Sequence, residues 1–348
     1  MSAPADRRGW TPLWFGAPAV LGLGLFVVLP FVMALILTFT DQRLVSPAPG
    51  AFVGLRNYDR LLSVSALVQN PVRDGVPVYA RVRSVTRTKR AYLGYRPLAG
   101  FGLGRRRVTI LAKDPAFLKA LGNTFAFAVM VVPLQCGVAL GLALLVNAGL
   151  RGQTVFRAVY FSPVVMSMVI VSVVWAFLFD RDLGLINQAL GALSCGLIKP
   201  IDWLGNPSTA MPAIVIMSAW QGAGFQMLIL LAGLQGISRE LYDAARIDGA
   251  SPWQCFWHIT VPGLRHTIGF VLVVTTIAAL GLFTQVDVMT GGGPRGATAT
   301  VMFEAVQHGV REGNIAYGAT ISVVYFALIT ILILIQQLMQ RRRVGEAA

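Results

Sequence analysis

Charge is scarce in this sequence. Asp, Glu, Lys and Arg make up only 13% of its 348 residues, about half the share of an ordinary soluble domain. A water-soluble fold is therefore disfavoured, and with 55% hydrophobic residues intrinsic disorder is excluded as well. Cysteine is equally rare. Cys136, Cys195 and Cys255 lie far apart and form no C-x-x-C pair, so no disulfide framework can be read and all three are expected to be small buried hydrophobes. The lysines, Lys89, Lys113, Lys119 and Lys199, never fall in a G-x-x-x-x-G-K-[ST] setting, which removes a Walker-type nucleotide site. His258, His266 and His308 make no H-E-x-x-H and are read as lacking an acid at ligand spacing, so no metal site is expected. There is no G-x-S-x-G elbow, and Gly291-Gly292-Gly293-Pro294 lacks the lysine and following helix of a phosphate cradle and reads as a turn. Catalysis by this chain alone has no support.

What is present instead is a set of long uncharged runs. Six of them, at 9–40, 120–150, 158–179, 203–238, 266–286 and 313–340, each contain at least 21 residues without an acid or a base. That meets the requirement of roughly 20 apolar residues for crossing a hydrocarbon core of about 30 Å. A seventh run, 183–198, has only 16 residues and reads as a short helix at the membrane surface. The expected fold is an all-α polytopic membrane protein with six transmembrane helices: 13–39, then near 120–148, 158–179, 208–235, 264–286 and 316–340. Short tails flank it at 1–12 and 341–348, and a 40–118 loop separates the first span from the 119–340 remainder. The first run follows Arg7 and Arg8 but is too long for the roughly 7–15-residue core of a signal peptide, so it is expected to be a retained span.

The net charge of +14 would suggest a nucleic-acid partner if it were spread evenly. It is not: residues 41–119 alone carry a balance of +11. Outside that loop, one face (both termini, 151–157 and 239–265) holds ten Lys/Arg and the other (180–202 and 287–312) only Arg181, Lys199, Arg295 and Arg311. The positive-inside rule then places both termini in the cytoplasm. The basic 41–119 loop falls outside, its 79 residues exceeding the length of about 60 over which the rule is counted.

Within the spans the polar groups are neutral: Asn123, Gln135, Gln221, Gln226, Gln285 and Tyr325. The absence of Asp, Glu, Lys and Arg there argues against ion-driven transport. These six are candidates either for interhelical hydrogen bonding or for lining a pathway that takes a hydroxyl-rich solute. Gly137 and Gly141 form a G-x-x-x-G expected to permit close helix packing, and Pro30, Pro133, Pro163 and Pro212 are expected to kink or punctuate helices.

The segment 240–262 is too polar to span and too patterned for a linker. Leu241, Ala244, Ala245 and Ile247 alternate with Glu240, Asp243, Arg246 and Asp248, as in a short amphipathic helix. Gly249 is placed to stop it in a left-handed conformation. Ser251-Pro252 can cap and start a second helix, with Phe256, Trp257, Ile259 and Val261 as its apolar face and Pro262 as its expected break.

Asp243-Ala244-Ala245, three residues, Gly249, nine residues, Ile259, one residue, Val261-Pro262 resembles the EAA motif of binding-protein-dependent ABC importer permeases. Asp243 stands for the family Glu and Val261 for Leu, while Asp248-Gly249-Ala250 and Phe256 resemble the sugar-uptake branch. Phe52-Val-Gly-Leu-Arg-Asn-Tyr58, Leu121-Gly-Asn-Thr124, Phe156-Arg157, Trp175, Gly184-Leu-Ile-Asn187 and Thr290-Gly-Gly-Gly-Pro294 are similar to segments of the maltose, multiple-sugar and glycerol-3-phosphate permeases, of the maltose-permease first-partner type.

The resemblance implies an inner-membrane subunit that forms half of a pathway with a second permease subunit. Two cytosolic ATPase subunits would bind ATP and Mg, leaving no cofactor in this chain, and an external solute-binding protein would deliver a sugar or a related polyol or phosphate ester. It also implies that Asp243, Ala244, Ala245, Asp248, Gly249, Ala250, Ile259 and Pro262 couple the chain to the ATPase. The alternative is a six-span exporter-like or channel-like protein without an ATPase partner.

Residues 63–113 have no counterpart in that resemblance. They carry a balance of +10 and read as a solvated or headgroup-bound insert that folding can dispense with, or alternatively as an accessory contact for an acidic binding protein. Val76–Thr88 partly alternates as in a small β-hairpin, and Gly100–Gly104 reads as a flexible turn.

Overall fold

The computed structural model describes residues 11–46, 50–69, 82, 92–103, 106–149 and 152–345. Four of its helices are long and apolar enough to cross a membrane, or up to six if each of two bent pairs is one span. The chain divides into two compact units, residues 1–114 with 305–324 and residues 115–304 with 325–348.

In the first unit, α1 (Thr11–Leu23), a π-helical turn at Gly24–Val28 and α2 (Leu29–Leu37) form one helical run, with Pro30 in the first turn of α2. No part of its apolar Phe15–Leu37 stretch is buried. The chain then turns back into α3 (Arg56–Leu62). Asn57 Nδ2 donates to the carbonyls of Thr38 and Thr40, both at 2.8 Å, and Tyr58 Oη lies 2.8 Å from Thr38 Oγ1. Asn57 therefore satisfies carbonyls at the end of the first helix, where backbone acceptors have no intrahelical partner.

A three-stranded antiparallel sheet follows, β1 (Val64–Gln69), β2 (Arg96–Leu103) and β3 (Arg106–Ala112), in the order β1-β3-β2. Two expectations for 63–113 are corrected here. Gly100–Leu103 is strand rather than turn, because Gly100 pairs with Thr109 and Phe101 with Val108. The ends of the insert are also not wholly solvated: Leu67, Thr109, Leu111 and Ala112 are buried, while Val64 and Val68 are exposed. Deleting 63–113 would thus remove packed strands. The hairpin expected at Val76–Thr88 lies outside the described residues.

Lys113 follows β3 and donates to Asp59 Oδ2 at 2.5 Å, while Ser63 Oγ donates to Asp59 Oδ1 at 2.6 Å. The hydrogen bonds from Lys113 and then Ser63 hold the Asp59 carboxyl below the usual carboxylate range. A depressed folded-state pKa stabilises above the unfolded value and is lost as pH falls through the folded one. Asp59→Asn should therefore remove a small acid-side slope from the unfolding curve. The effect is at most about 1 kcal/mol, as for exposed pairs generally.

The same unit includes α14 (Val301–Val306) in part, a π turn at Gln307–Arg311 and the start of α15 (Ile315–Gly345). His308 Nδ1 lies 2.6 Å from Glu312 Oε2, an acid at helical spacing that corrects the sequence reading of that histidine. Among the described residues no three metal-ligating side chains converge. Tyr317 is buried, donates to Asp114 and carries Arg60 over its ring at 4.2 Å.

The second unit is built around α4 (Pro115–Asn147) and α8 (Ala210–Gln235). Between them lie α5 (Gln153–Val165), α6 (Met168–Leu178) and α7 (Leu185–Leu193), and after them α9 to α13. Ala139 and Ala143 of α4 meet Ala223, Met227 and Leu230 of α8, with Leu264 and Val271 completing the cluster. Small residues permit such close approach where lipid supplies no hydrophobic drive. Gly137 and Gly141, expected at that contact, have nothing within 4 Å of a Cβ. The packing motif is alanine, on the adjacent face.

Proline acts unevenly. Pro133 sits inside an unbroken 33-residue helix, whereas Pro163 precedes a 101° bend between α5 and α6. The 158–179 span is thus broken. The 264–286 span is also not one helix, since α12 (Arg265–Leu280) ends before α13 (Thr284–Met289). None of the three cysteines is fully buried, and Cys195 is exposed with φ 51°.

Candidate functional site

The segment after α8 contains two short helices joined by a tight turn. α9 (Arg239–Ile247) starts at Ser238, whose hydroxyl accepts from the Glu240 amide at 3.2 Å. It ends in a paired hydrogen-bond lock. Ala250 N donates to Ala245 O at 2.8 Å and Gly249 N to Arg246 O at 3.1 Å, with Gly249 at φ 78°. This is the six-to-one and five-to-two pattern of a left-handed helix stop, and it requires positive φ at Gly249.

Two residues later a capping box starts the next helix: Gln254 N donates to Ser251 Oγ at 3.3 Å and Ser251 N to Gln254 Oε1 at 2.7 Å. Pro252 occupies the first turn. That helix runs through α10 (Pro252–Cys255), a π stretch at Phe256–Thr260 and α11 (Val261–Gly263). Pro262 does not break it. The bend, 67°, falls at the buried Leu264, where α12 begins. Tyr242 Oη lies 2.9 Å from Thr260 Oγ1, tying α9 to the second helix.

Five of the eight sequence candidates are brought together in one pocket, and Asp243, Ala244 and Pro262 are not. Asp243 and Ala244 are exposed, and Asp243 Oδ1 accepts from Arg246 at 3.3 Å. Ala245, Asp248, Gly249, Ala250 and Ile259 line one open pocket of about 280 Å³, joined by Gln254, Cys255 and His258. Pro262 stands apart, exposed on the far side of the π stretch. The sequence reading missed Gln254 and Tyr242. Ser-x-x-Gln at 251–254 is a capping-box spacing and could have been recognised; the Tyr242 contact has no local signal. The pocket lining combines small residues (Ala245, Gly249 and Ala250) with Asp248, Gln254, Cys255, His258 and Ile259.

The six polar residues of the spans are scattered. Asn123 Nδ2 donates to the carbonyls of Gly296 and Ala299, both at 2.9 Å, holding the 296–299 loop to α4. Gln135 donates to Gln226 at 2.8 Å, and Gln226 to Thr275 at 3.1 Å, a buried chain across α4, α8 and α12. Tyr325 is buried and donates to Leu280 O at 2.7 Å. Gln221 reaches Pro163 O only at 3.5 Å, and Gln285 is half-buried in α13. Gln135→Leu should cost about 1 kcal/mol of helix association, read as lower thermal stability in detergent.

Comparison with known proteins places this architecture. Residues 109–345 match the family described as binding-protein-dependent transport system inner membrane component. The trehalose/maltose transport system permease protein MalF of Thermococcus litoralis is 37% identical over 206 residues, covering 59% of this chain and 68% of that protein. The lactose transport system permease protein LacF of Rhizobium radiobacter is 36% identical over 245 residues, covering 69% and 81%. In fold, a crystal structure of a bacterial ABC transporter importing alginate aligns with TM-score 0.68 at 17% identity, over 97% of this chain and 96% of that one. The chain thus belongs to the family of inner-membrane components of binding-protein-dependent transport systems.

Proposed function

We propose that the chain is one of two different permease subunits in an ATP-driven importer of a sugar or a related polyol or phosphate ester. It crosses the membrane six times with both termini in the cytoplasm. Two ATPase subunits bind ATP and Mg on that side, and an external binding protein delivers the solute. Relatives named for trehalose/maltose and lactose transport support the substrate class. The observation that carries the reading is the 239–263 segment, an amphipathic helix locked at Gly249 beside a pocket lined in part by Ala245, Gly249 and Ala250. Such a rigid knob can transmit a partner's movement, which a flexible loop cannot.

Asn123, Gln135, Gln226 and Tyr325 hold helices and loops together in this account. Gln221 and Gln285 are the pathway candidates, since the side-chain bonds of the other four are committed within the fold.

Sidedness tests the arrangement. Cys195 is native and exposed in the 180–202 segment, and Ile247 is 87% exposed on α9. In a background without Cys136 and Cys255, Cys195 should react with an impermeant thiol reagent from outside intact cells. With Cys195 also removed, Ile247→Cys should react only after permeabilisation. Reversed labelling would move 239–263 away from ATP and overturn the docking role.

A further inference from the structure

The geometry points to the bilayer interface as the partner of a second face of the same segment, formed by Trp253, Phe256 and Trp257. The three rings form one cluster, with centroids 5.8, 5.6 and 5.2 Å apart. Trp253 is 67% exposed and Trp257 49%. They recur at i, i+3 and i+4, one side of a helix, whereas Gln254, Cys255, His258 and Ile259 line the pocket on the other. The helix is therefore two-faced: small and polar toward the pocket, aromatic away from it.

Continuity with the following span identifies the occupant. Pro252–Gly263 runs into Arg265–Leu280 with a 67° bend, so a span standing near the bilayer normal lays the aromatic helix close to the membrane plane, at the level where the span ends. Arg265 and His266, both exposed, mark that level, with Arg265 Nε 3.3 Å from His266 Nε2. Arg265 is a cation for lipid phosphate. Indoles are amphipathic and concentrate where apolar chains meet headgroups. Seated there, the rings fix the depth and roll of the helix, so the pocket face is held toward the aqueous side. The inference rests on the reading of Arg265–Leu280 as a span.

The test uses the full chain, reconstituted with and without its ATPase in phosphatidylcholine–phosphatidylglycerol vesicles. Some vesicles carry phosphatidylcholine brominated at shallow acyl positions and others at deep ones. Subtracting the emission of the Trp253→Phe/Trp257→Phe variant from that of the wild type isolates the two indoles. Shallow bromines should quench this difference emission by about twofold or more, beyond the quenching by deep ones, as for interfacial Trp, and aqueous acrylamide should have little effect.

Strong acrylamide quenching without bromine quenching would put the face in water and overturn the inference. Shielding that appears only when ATPase is bound would assign the rings to the ATPase and overturn it as well. The remaining emission is a control for the spanning reading, because Trp220 lies exposed on α8. If bromines quench the remainder but not the difference, only the anchor fails; if they quench neither, the spanning reading fails with it.

Discussion

Gly249→Val should reduce ATP-driven uptake to background while leaving the protein inserted and bound to its partner permease. Gly249 sits at φ 78° with nothing within 4 Å of a Cβ, so the obstacle is conformational rather than steric. A β-branched residue resists that region at a cost of about 1–3 kcal/mol. The two hydrogen bonds that close α9 onto Ala245 and Arg246 would be released. Ala245→Trp attacks the same site by volume, filling the pocket that Ala245 lines with Ala250 and Ile259. Both variants should also lose ATPase co-purification. Asp243→Glu, by contrast, should retain uptake, since the carboxylate facing Arg246 persists on an exposed surface. Wild-type uptake and ATPase association in both Gly249→Val and Ala245→Trp would refute the coupling role.

Asn187→Leu should be the most destabilising single change in the 180–203 segment. Its buried amide donates to Arg181 O at 3.0 Å and Ile201 O at 2.8 Å, and accepts from Ile201 N at 3.2 Å and Trp203 Nε1 at 3.0 Å. Leucine leaves those groups unpaired at roughly 1–3 kcal/mol each where water cannot reach them. The chain is tight here for another reason too: a Cβ at Gly184 would clash with Asp180 O. Thermal unfolding in detergent should show a large downward shift for Asn187→Leu. Gln188→Leu, which loses one exposed bond to Leu183 O, should scarcely move it.

What the sequence made legible was local. Gly249 and Ser251-Pro252 act through neighbours within a few residues, so the two short helices and the turn between them could be placed from residue chemistry alone. Uncharged length located the apolar segments, yet it carries no information about direction. Nothing charged marks the bend between Val165 and Met168, and the break after Leu280 lies inside a continuous uncharged run.

Long-range pairing was the least accessible. β1 and β3 are paired strands whose partners, such as Leu67 and Thr109, are far apart in sequence, and Gly100 and Gly102 disguised β2 as a turn. In the same way Gly137 and Gly141 signalled a packing face that Ala139 and Ala143 provide instead. Asn187 was visible only as part of a resemblance; its role as a hub depends on Ile201 and Trp203 returning to it.

The central claim is that this chain passes solute only when a nucleotide-driven partner acts on the 239–263 side. The direct measurement is solute accumulation by proteoliposomes containing this chain, its partner permease and the ATPase, with binding protein on the face bearing Cys195. The account predicts accumulation against a gradient only when ATP is present on the face bearing Ile247, and none with Gly249→Val. Passage that ignores ATP and merely equilibrates the solute, with no ATPase retained by the chain, would contradict it and establish a channel.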